Sequence, residues 1–268
     1  MKASTKLNII GKSFLNKLVG KRQDPIFILG TGRCGSTLLV DILATNSDIQ
    51  IDQNEQYDWF LVALNGGKGK RHNPIYTDII NYDLTAKKSL ELWTPYYRSK
   101  LRIMIDRKIN QNDKTFFLKS PAITFLLPEI KKLYPKAKYV HLYRNGYAVA
   151  RSWFKKEYFR DKDYQDNFTE DEFILECAKY YNASILNIQD FLKEVKPGNQ
   201  FSLSYEKLTE QPDYELPRLL KFAGIDSKCA FDLSTINSTN HKIDKIEETL
   251  KYQLNLIMKD SLKALGYY

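Results

Sequence analysis

The sequence has few cysteines and histidines, and their scarcity excludes several kinds of site. Only three of each occur among 268 residues. Cys34, Cys177 and Cys229 are odd in number and widely spaced, so they form neither a disulfide framework nor a zinc-binding signature. We expect reduced thiols, as in a cytoplasm.

Long hydrophobic runs are also missing. No apolar run is long enough to span a bilayer, and the first residues contain no apolar signal core, so we expect a cytoplasmic protein. Residues 1–24 are expected to form a basic helical extension. Its apolar side chains fall near one helical face among lysines, a pattern compatible with peripheral membrane contact but more typical of a helix that packs on its own domain. These apolar residues are Leu7, Ile10, Phe14, Leu18 and Val19.

Basic residues outnumber acidic ones, giving a net charge of +9 and a pI near 9.2. A basic balance suits a ligand that carries several negative charges, and it would equally suit nucleic acid or a membrane surface. No basic cluster has the motif of a nucleic-acid reader, so we predict no nucleic-acid partner. The sequence gives no indication of oligomeric state.

One segment combines a strand, a glycine-rich loop and a helix. The apolar run Ile26–Leu29 predicts a buried strand, Gly30, Gly32 and Gly35 predict a loop, and a helix is expected from Ser36. Backbone N–H groups of a curled loop and of a helix N-terminus together bind anions. The segment therefore predicts a site for phosphate or a similar group.

The loop lacks the lysine that follows the last glycine in ATP and GTP hydrolases. Ser36 and Thr37 follow Gly35 instead, and the cation, Arg33, comes earlier. The usual donor to the β- and γ-phosphates is therefore missing. A glycine match in a purely structural turn remains an alternative at this point.

A second strand–turn–helix segment carries another arginine. Arg144 ends an apolar strand, Asn145 and Gly146 form a turn, and Ser152 lies two helical turns further on. A guanidinium binds phosphate through two parallel hydrogen bonds, and a hydroxyl adds a donor. We therefore predict that Arg144 and Ser152 grip one phosphate.

The alternation of strands and helices predicts an α/β fold, a P-loop-type parallel sheet flanked by helices on both faces, with residues 25–268 as a single domain. A helix is expected from about Glu55 to Leu64, and Pro217 is expected to open a short helix. In such folds ligands bind beyond the carboxyl ends of the strands. Gly30, Lys119 and Arg144 all fall there.

At these residues the chain resembles the sulfotransferases that use 3′-phosphoadenosine 5′-phosphosulfate (PAPS). The loop Gly30–Leu39 is similar to the family's 5′-phosphosulfate loop, and Arg144 with Ser152 matches its 3′-phosphate pair. Three shorter segments also resemble the family: Phe117–Pro121, Leu203–Leu208 and Leu262–Tyr267. The Lys-Ser-Pro sequence at 119–121 and the Arg-Asn-Gly sequence at 144–146 are closer to the tyrosylprotein and bacterial branches than to the small-molecule cytosolic branch.

The resemblance implies in-line transfer of a sulfuryl group from PAPS to an acceptor hydroxyl or amine, with adenosine 3′,5′-bisphosphate as product and no metal. Arg33 and Lys119 would stabilise the reacting groups. Cofactor binding is expected of Gly32, Arg33, Cys34, Gly35, Ser36, Thr37, Arg144, Ser152, Tyr205 and Lys242. The alternatives are a P-loop nucleotide or small-molecule kinase and a non-catalytic nucleotide-binding module.

The catalytic base is less directly indicated. The cytosolic branch has a histidine where this chain has Pro121, so the resemblance shifts the role to a carboxylate. Glu55 is the candidate, although a gapless match falls on Asn54 and Glu55 also fits the first turn of a helix. The acceptor is expected to be a glycan, a glycolipid or another small molecule. Aromatic residues before Lys119 and after Ser152 would line its site or serve the core.

Overall fold

The computed structural model describes residues 24–52, 94–109, 113–120, 124, 126–160, 162–226, 231–236 and 246–268. Within these ranges five parallel strands form one sheet, in the order β2-β3-β1-β4-β5. The strands are β1 (Ile26–Leu29), β2 (Ile49–Asp52), β3 (Thr115–Lys119), β4 (Lys138–Tyr143) and β5 (Gln200–Ser204). The predicted α/β fold with a parallel sheet is confirmed.

Strand β1 lies at the centre of the sheet, between β3 and β4. Ile28 is opposite Lys119 on one side, and Leu29 is opposite His141 on the other. All four residues of β1 are buried, as expected for an apolar strand covered on both faces. The chain segments that follow β1, β3 and β4 therefore emerge side by side at one edge.

Nine α-helices are described within these ranges. They are α1 (Ser36–Ala44), α2 (Pro95–Ile109), α3 (Leu127–Leu133), α4 (Gly146–Glu157), α5 (Lys162–Asn167), α6 (Glu170–Lys193), α7 (Tyr205–Glu210), α8 (Pro212–Ala223) and α9 (Glu248–Ala264). A short 3-10 helix, Pro197–Asn199, precedes β5. Thr169 caps α6 in a reciprocal pair with Glu172, which fixes the start of the longest described helix.

The two faces of the sheet bury different clusters. On one face Phe27 and Leu118 lie in a cluster with side chains of α2, α3 and α6. On the other face Ile28 and Phe117 lie in a cluster with side chains of α1, α7 and α8. Alternate residues of each strand point to opposite faces, so the same strands supply both clusters.

A third cluster joins α4, α6 and α9 away from the sheet. Trp153 of α4, Tyr181 of α6 and Met258 of α9 are among its buried members. This cluster attaches the last described helix to the element that begins just after Arg144. The cluster therefore helps to position the turn that contains Arg144.

Two helix boundaries differ from the sequence expectation. Pro217 does not open a helix but lies inside α8, whose first turn contains Pro212. Proline favours the first helical turn, and in this helix Pro212 occupies that turn. The expectation that Pro217 opens the helix was therefore wrong. Tertiary burial of Leu216, Leu219 and Leu220 supports the helix across Pro217. The helix expected near Glu55–Leu64 lies outside the described residues.

Candidate functional site

The glycine loop after β1 has an unusual backbone conformation at two residues. Gly35 has φ +96° and Arg33 has φ +67°, both in the left-handed region. Helix α1 begins directly after Gly35, and among the described residues no side chain caps it. The N–H groups of Ser36 and Thr37 lie at the N-terminus of α1, where the helix dipole favours negative charge.

Two glycines of the loop lie directly against aromatic rings. A Cβ at Gly32 would collide with the ring of Trp153, and a Cβ at Gly35 would collide with the ring of Tyr205. Both positions therefore require glycine for space, and Gly35 requires it for its backbone conformation as well. Trp153 and Tyr205 come from α4 and α7, so the loop rests on residues far away in sequence.

The Arg144 turn lies beside this loop. Nη1 of Arg144 is 3.4 Å from the carbonyl oxygen of Arg33, to which it donates a long hydrogen bond. Its guanidinium carbon lies 4.4 Å from the centre of the Tyr205 ring, within the range of a cation–π contact. Tyr205 thus contacts the glycine loop and Arg144 at once.

A second contact joins the two segments through Ser152. Nε of Arg33 donates a hydrogen bond of 3.0 Å to Oγ of Ser152 in α4. Arg33 is exposed, while Arg144 and Ser152 are half-buried. The two segments predicted to bind anions are more than a hundred residues apart in sequence, and these contacts bring them together.

Lys119 lies at the end of β3, and Cys34 lies within the loop. Lys119 ends β3 and is 7% exposed, so it is not a solvated surface lysine. Burial raises the pKa of the Cys34 thiol, and hydrogen bonding with Ser36 and the nearby Lys119 charge act in the opposite direction. The Cys34 side chain belongs to the core, so only its backbone is available to a ligand.

Sequence reasoning missed the residues that support the Arg144 turn. The hydroxyl of Tyr181 donates to the carbonyl of Arg144 at 3.0 Å, and Oε1 of Glu206 accepts the N–H of Asn145 at 2.9 Å. Oε2 of Glu206 accepts the Tyr267 hydroxyl at 2.6 Å. Glu206 and Tyr267 lie in two of the short segments, Leu203–Leu208 and Leu262–Tyr267, that resemble the PAPS-dependent family. No local sequence pattern indicates a role for either residue.

Other candidate side chains serve the core. His141 is 1% exposed, and burial lowers its pKa to about 4, as expected of a packed core histidine. Trp153, Phe154 and Tyr158 are buried in the third cluster, whereas Phe159 is 60% exposed. Core packing therefore accounts for most of the aromatic residues after Ser152.

Several predicted features lie outside the described residues. Glu55 and Lys242 are among them, as are residues 1–23 of the basic extension and Cys229. The aromatic residues expected near an acceptor at positions 57–93 are outside as well. Their roles stay predictions.

The fold and this site define a class of protein. A glycine loop leads from the central strand of a parallel sheet into the helix α1, and an arginine turn lies beside it. This is the arrangement of an α/β phosphate-binding protein. The chain belongs to the sulfotransferase family, whose model matches residues 25–228.

Two of the curated relatives are named as sulfotransferases. The omega-hydroxy-beta-dihydromenaquinone-9 sulfotransferase Stf3 of Mycobacterium tuberculosis is 25% identical, over 76% of this chain. The chain spans 64% of the length of Stf3, less than two thirds.

Solved structures share the fold. The sulfotransferase domain from the curacin biosynthetic pathway superposes with a TM-score of 0.61 at 18% identity, covering 92% of this chain and 99% of that domain. Sulfotransferase STF1 from Mycobacterium tuberculosis H37Rv gives a TM-score of 0.59 at 17% identity, covering 93% and 80%. At these identities the likeness concerns the fold.

The described ranges contain neither a candidate membrane span nor a candidate metal site. No helix in those ranges is both long and apolar enough to cross a bilayer. Within the same ranges, no group of three or more histidine, cysteine, aspartate or glutamate side chains is placed to hold a metal ion.

Proposed function

We propose that this protein is an enzyme that transfers a sulfuryl group from PAPS to an acceptor hydroxyl, releasing adenosine 3′,5′-bisphosphate. Membership of the sulfotransferase family supports the reaction type. The observation that carries the assignment is the pair of contacts between the glycine loop and the Arg144–Ser152 segment, at 3.4 and 3.0 Å.

The described residues fit a nucleotide that carries phosphate at both ends of its ribose. The N–H groups of Gly35, Ser36 and Thr37 would hold the 5′-phosphate at the start of α1. Arg144 and Ser152 would hold the 3′-phosphate. The ring of Tyr205, which lies against Gly35 and against the Arg144 guanidinium, would approach the nucleoside.

Arg33 and Lys119 are the proposed catalytic cations. When bound, PAPS supplies an activated sulfuryl group whose bond to the 5′-phosphate breaks as the acceptor oxygen attacks. The Lys119 ammonium at the end of β3 and the Arg33 guanidinium in the loop would stabilise the charge that develops on the leaving phosphate. In a site that excludes water, such fixed charges account for much of the rate acceleration.

The proposed base is Glu55, which follows β2 by three residues. A carboxylate placed there would accept the acceptor's proton during attack. Replacing Glu55 by Gln is expected to abolish transfer while nucleotide affinity is kept. An unchanged turnover number would remove Glu55 from this role.

The proposed acceptor is a hydroxyl on a small molecule, glycan or lipid. The name of Stf3 specifies a hydroxylated lipid quinone, which supports including lipid alcohols among the candidates. The bacterial sources of the curated relatives support a bacterial enzyme. A cytoplasmic location and peripheral membrane contact through residues 1–24 stay predictions.

The kinase alternative is not favoured, because the family match concerns sulfotransferases and no lysine follows Gly35. A non-catalytic nucleotide-binding module shares the proposed pockets but would show no turnover. Incubation with PAPS carrying labelled sulfur and a panel of phenols, glycans and long-chain alcohols tests the proposal.

We expect label transfer to at least one acceptor without added magnesium. A Lys119→Ala variant is expected to lower the rate about 10²–10³-fold, whereas Lys136→Ala, which removes an exposed lysine, should not change it. Binding of adenosine 3′,5′-bisphosphate without transfer to any acceptor would favour the non-catalytic module. Stabilisation by ADP with magnesium, but not by the bisphosphate, would contradict the proposal and favour a kinase.

A further inference from the structure

The peptide group between Arg144 and Asn145 is clamped at both ends. Its carbonyl accepts the Tyr181 hydroxyl at 3.0 Å, and its N–H donates to Oε1 of Glu206 at 2.9 Å. We propose that Glu206 and Tyr267 are positioning residues that hold this peptide so that Arg144 meets the 3′-phosphate. The inference rests on the proposed function and assigns these residues to selectivity for nucleotides with a 3′-phosphate.

Clamping one peptide group fixes two backbone angles next to the guanidinium. The plane of that peptide determines ψ of Arg144 and φ of Asn145, so it sets the direction in which the Arg144 side chain leaves the chain. The Asn145 side chain adds a further bond, because its Oδ1 accepts the N–H of Tyr147 and caps α4. The turn is therefore oriented by hydrogen bonds from within the protein.

Both carboxylate oxygens of Glu206 are engaged in this support. While Oε1 accepts from Asn145, Oε2 accepts the hydroxyl of Tyr267 at 2.6 Å. Glu206 directly follows Tyr205, whose ring lies against the guanidinium of Arg144. Two consecutive residues at the start of α7 therefore fix the Arg144 side chain and the Arg144 backbone.

Tyr267 reaches Glu206 because α9 ends in a specific turn. Gly266 has φ +77°, the N–H of Gly266 donates to the Lys263 carbonyl at 3.2 Å, and the N–H of Tyr267 donates to the Leu262 carbonyl at 2.9 Å. These two bonds form a Schellman motif, which reverses the chain at the end of a helix. The reversal places the centre of the Tyr267 ring 6.0 Å from the centre of the Tyr143 ring. Tyr143 is the residue before Arg144.

Helix α9 contacts the same turn from a second side. The hydroxyl of Tyr147 donates to Oδ1 of Asn255, and Sδ of Met258 lies 2.7 Å from the place that a Cβ on Gly146 would occupy. The arginine turn is therefore enclosed by α6, α7 and α9. Polar bonds to its backbone come from α6 and α7, and Tyr267 stabilises the α7 carboxylate in turn.

The test compares two nucleotides that differ only in the 3′-phosphate. Isothermal titration calorimetry gives the Kd of the full chain for adenosine 3′,5′-bisphosphate and for adenosine 5′-monophosphate. Tyr267→Phe removes one hydroxyl and keeps the ring. We expect it to weaken bisphosphate binding about threefold and to leave monophosphate binding within about a factor of two.

Variants at Glu206 separate the hydrogen bond from the bulk of the side chain. Glu206→Ala removes the acceptor for Asn145 and is expected to weaken bisphosphate binding about tenfold, with little change for the monophosphate. Glu206→Gln keeps an oxygen acceptor and is expected to retain most of the selectivity. Tyr252→Phe, on an exposed face of α9, is the matched control and should change neither Kd.

The outcomes separate this inference from the proposed function. If Arg144→Ala leaves the ratio of the two Kd values unchanged, the proposed 3′-phosphate site is wrong. If Arg144→Ala reduces the ratio but Tyr267→Phe and Glu206→Ala do not, the inference is overturned and the proposed function stands. Equal weakening of both nucleotides by Tyr267→Phe would indicate a general structural role and would also overturn it.

Discussion

The glycine loop after β1 and the arginine turn after β4 lie side by side, yet different interactions hold them. The loop takes its shape from left-handed backbone conformations at Arg33 and Gly35, and its glycines pack against the rings of Trp153 and Tyr205. The turn depends on bonds from distant segments, made by Tyr181, Glu206 and Tyr267. One predicted anion site is therefore shaped largely by its local backbone conformation, and the other is held by hydrogen bonds from distant segments.

The difference predicts which changes affect both phosphates and which affect one. A change in the loop would displace Tyr205, which contacts both the loop and Arg144. Such a change should therefore weaken the binding of every nucleotide. A defect in the turn should be felt by a ligand only through its 3′-phosphate. The following predictions use this contrast.

The largest selective effect is expected from Arg144→Ala. A hydrogen-bonded charge contributes about 1.5–3 kcal/mol, so the affinity for adenosine 3′,5′-bisphosphate should fall about 10- to 150-fold. The affinity for adenosine 5′-monophosphate should stay nearly constant. Calorimetric titration of both nucleotides measures the two values.

Arg160→Ala, which removes an exposed arginine beyond the end of α4, is the control and should change neither affinity. Equal losses for both nucleotides in Arg144→Ala would mean that the arginine does not distinguish the phosphates. The two regions would then form one undivided anion site.

Gly35→Ala is expected to weaken both nucleotides together. Forcing alanine into φ +96° costs about 1–2 kcal/mol, and its Cβ would displace the Tyr205 ring. Thermal unfolding and titration with each nucleotide measure the result. Gly224→Ala, at φ +81° in the C-cap of α8, should lower the melting temperature similarly while nucleotide affinity is kept.

Selective loss of the 3′-phosphate contribution in Gly35→Ala would contradict the contrast between the two regions. So would normal nucleotide affinity in that variant. Either result would indicate that the loop tolerates a side chain where the aromatic ring now lies.

The strands β1 and β4, which precede the loop and the turn, differ in whether they bury a titratable side chain. Strand β1 carries only apolar side chains, whereas β4 buries His141, whose pKa is lowered from 6.5 to about 4. Between these values the unfolded chain binds a proton that the folded chain does not. Stability should therefore decrease as the pH falls from 6.5 towards 4, by up to about 1.4 kcal/mol per pH unit.

Urea unfolding at pH 7, 6 and 5 measures this slope. The variant His141→Gln is expected to lose most of it between pH 6.5 and 5, whatever its absolute stability. An identical slope in the variant would assign the acid sensitivity to other groups.

The smallest effect is expected from Ser152→Ala. It removes the acceptor of the Arg33 hydrogen bond and one proposed phosphate donor, which is worth about 0.5–1.5 kcal/mol, or about 2- to 10-fold in bisphosphate affinity. Ser202→Ala, on an exposed position of β5, should have no effect on nucleotide titrations. A loss larger than that of Arg144→Ala would reverse the proposed order of importance.

The contrast also explains how much could be predicted from sequence. The sheet, the loop and the position of Arg144 follow from short apolar runs and from glycine and turn residues that are adjacent in the chain. The strand predicted at Ile26–Leu29 and the helix predicted from Ser36 both begin where the structure has them. Such features depend on neighbours within a few residues.

The support of the site could not be predicted in this way. Nothing local indicates that Tyr267 bonds to Glu206 or that the ring of Trp153 lies against Gly32, because these contacts arise only when helices pack together. The position of Pro217 inside α8 has the same origin, since burial of its neighbours outweighs the local preference. Short-range sequence patterns therefore located the loop and the Arg144 turn, but not the residues that support them.

The most direct test of the account compares three nucleotides on the unmodified protein. Adenosine 3′,5′-bisphosphate, adenosine 5′-monophosphate and adenosine 3′-monophosphate are titrated under one salt condition. If one nucleotide uses both regions, the bisphosphate should bind at least about tenfold more tightly than either monophosphate, as one extra charged hydrogen bond requires. Equal affinity for the bisphosphate and the 5′-monophosphate would contradict the account.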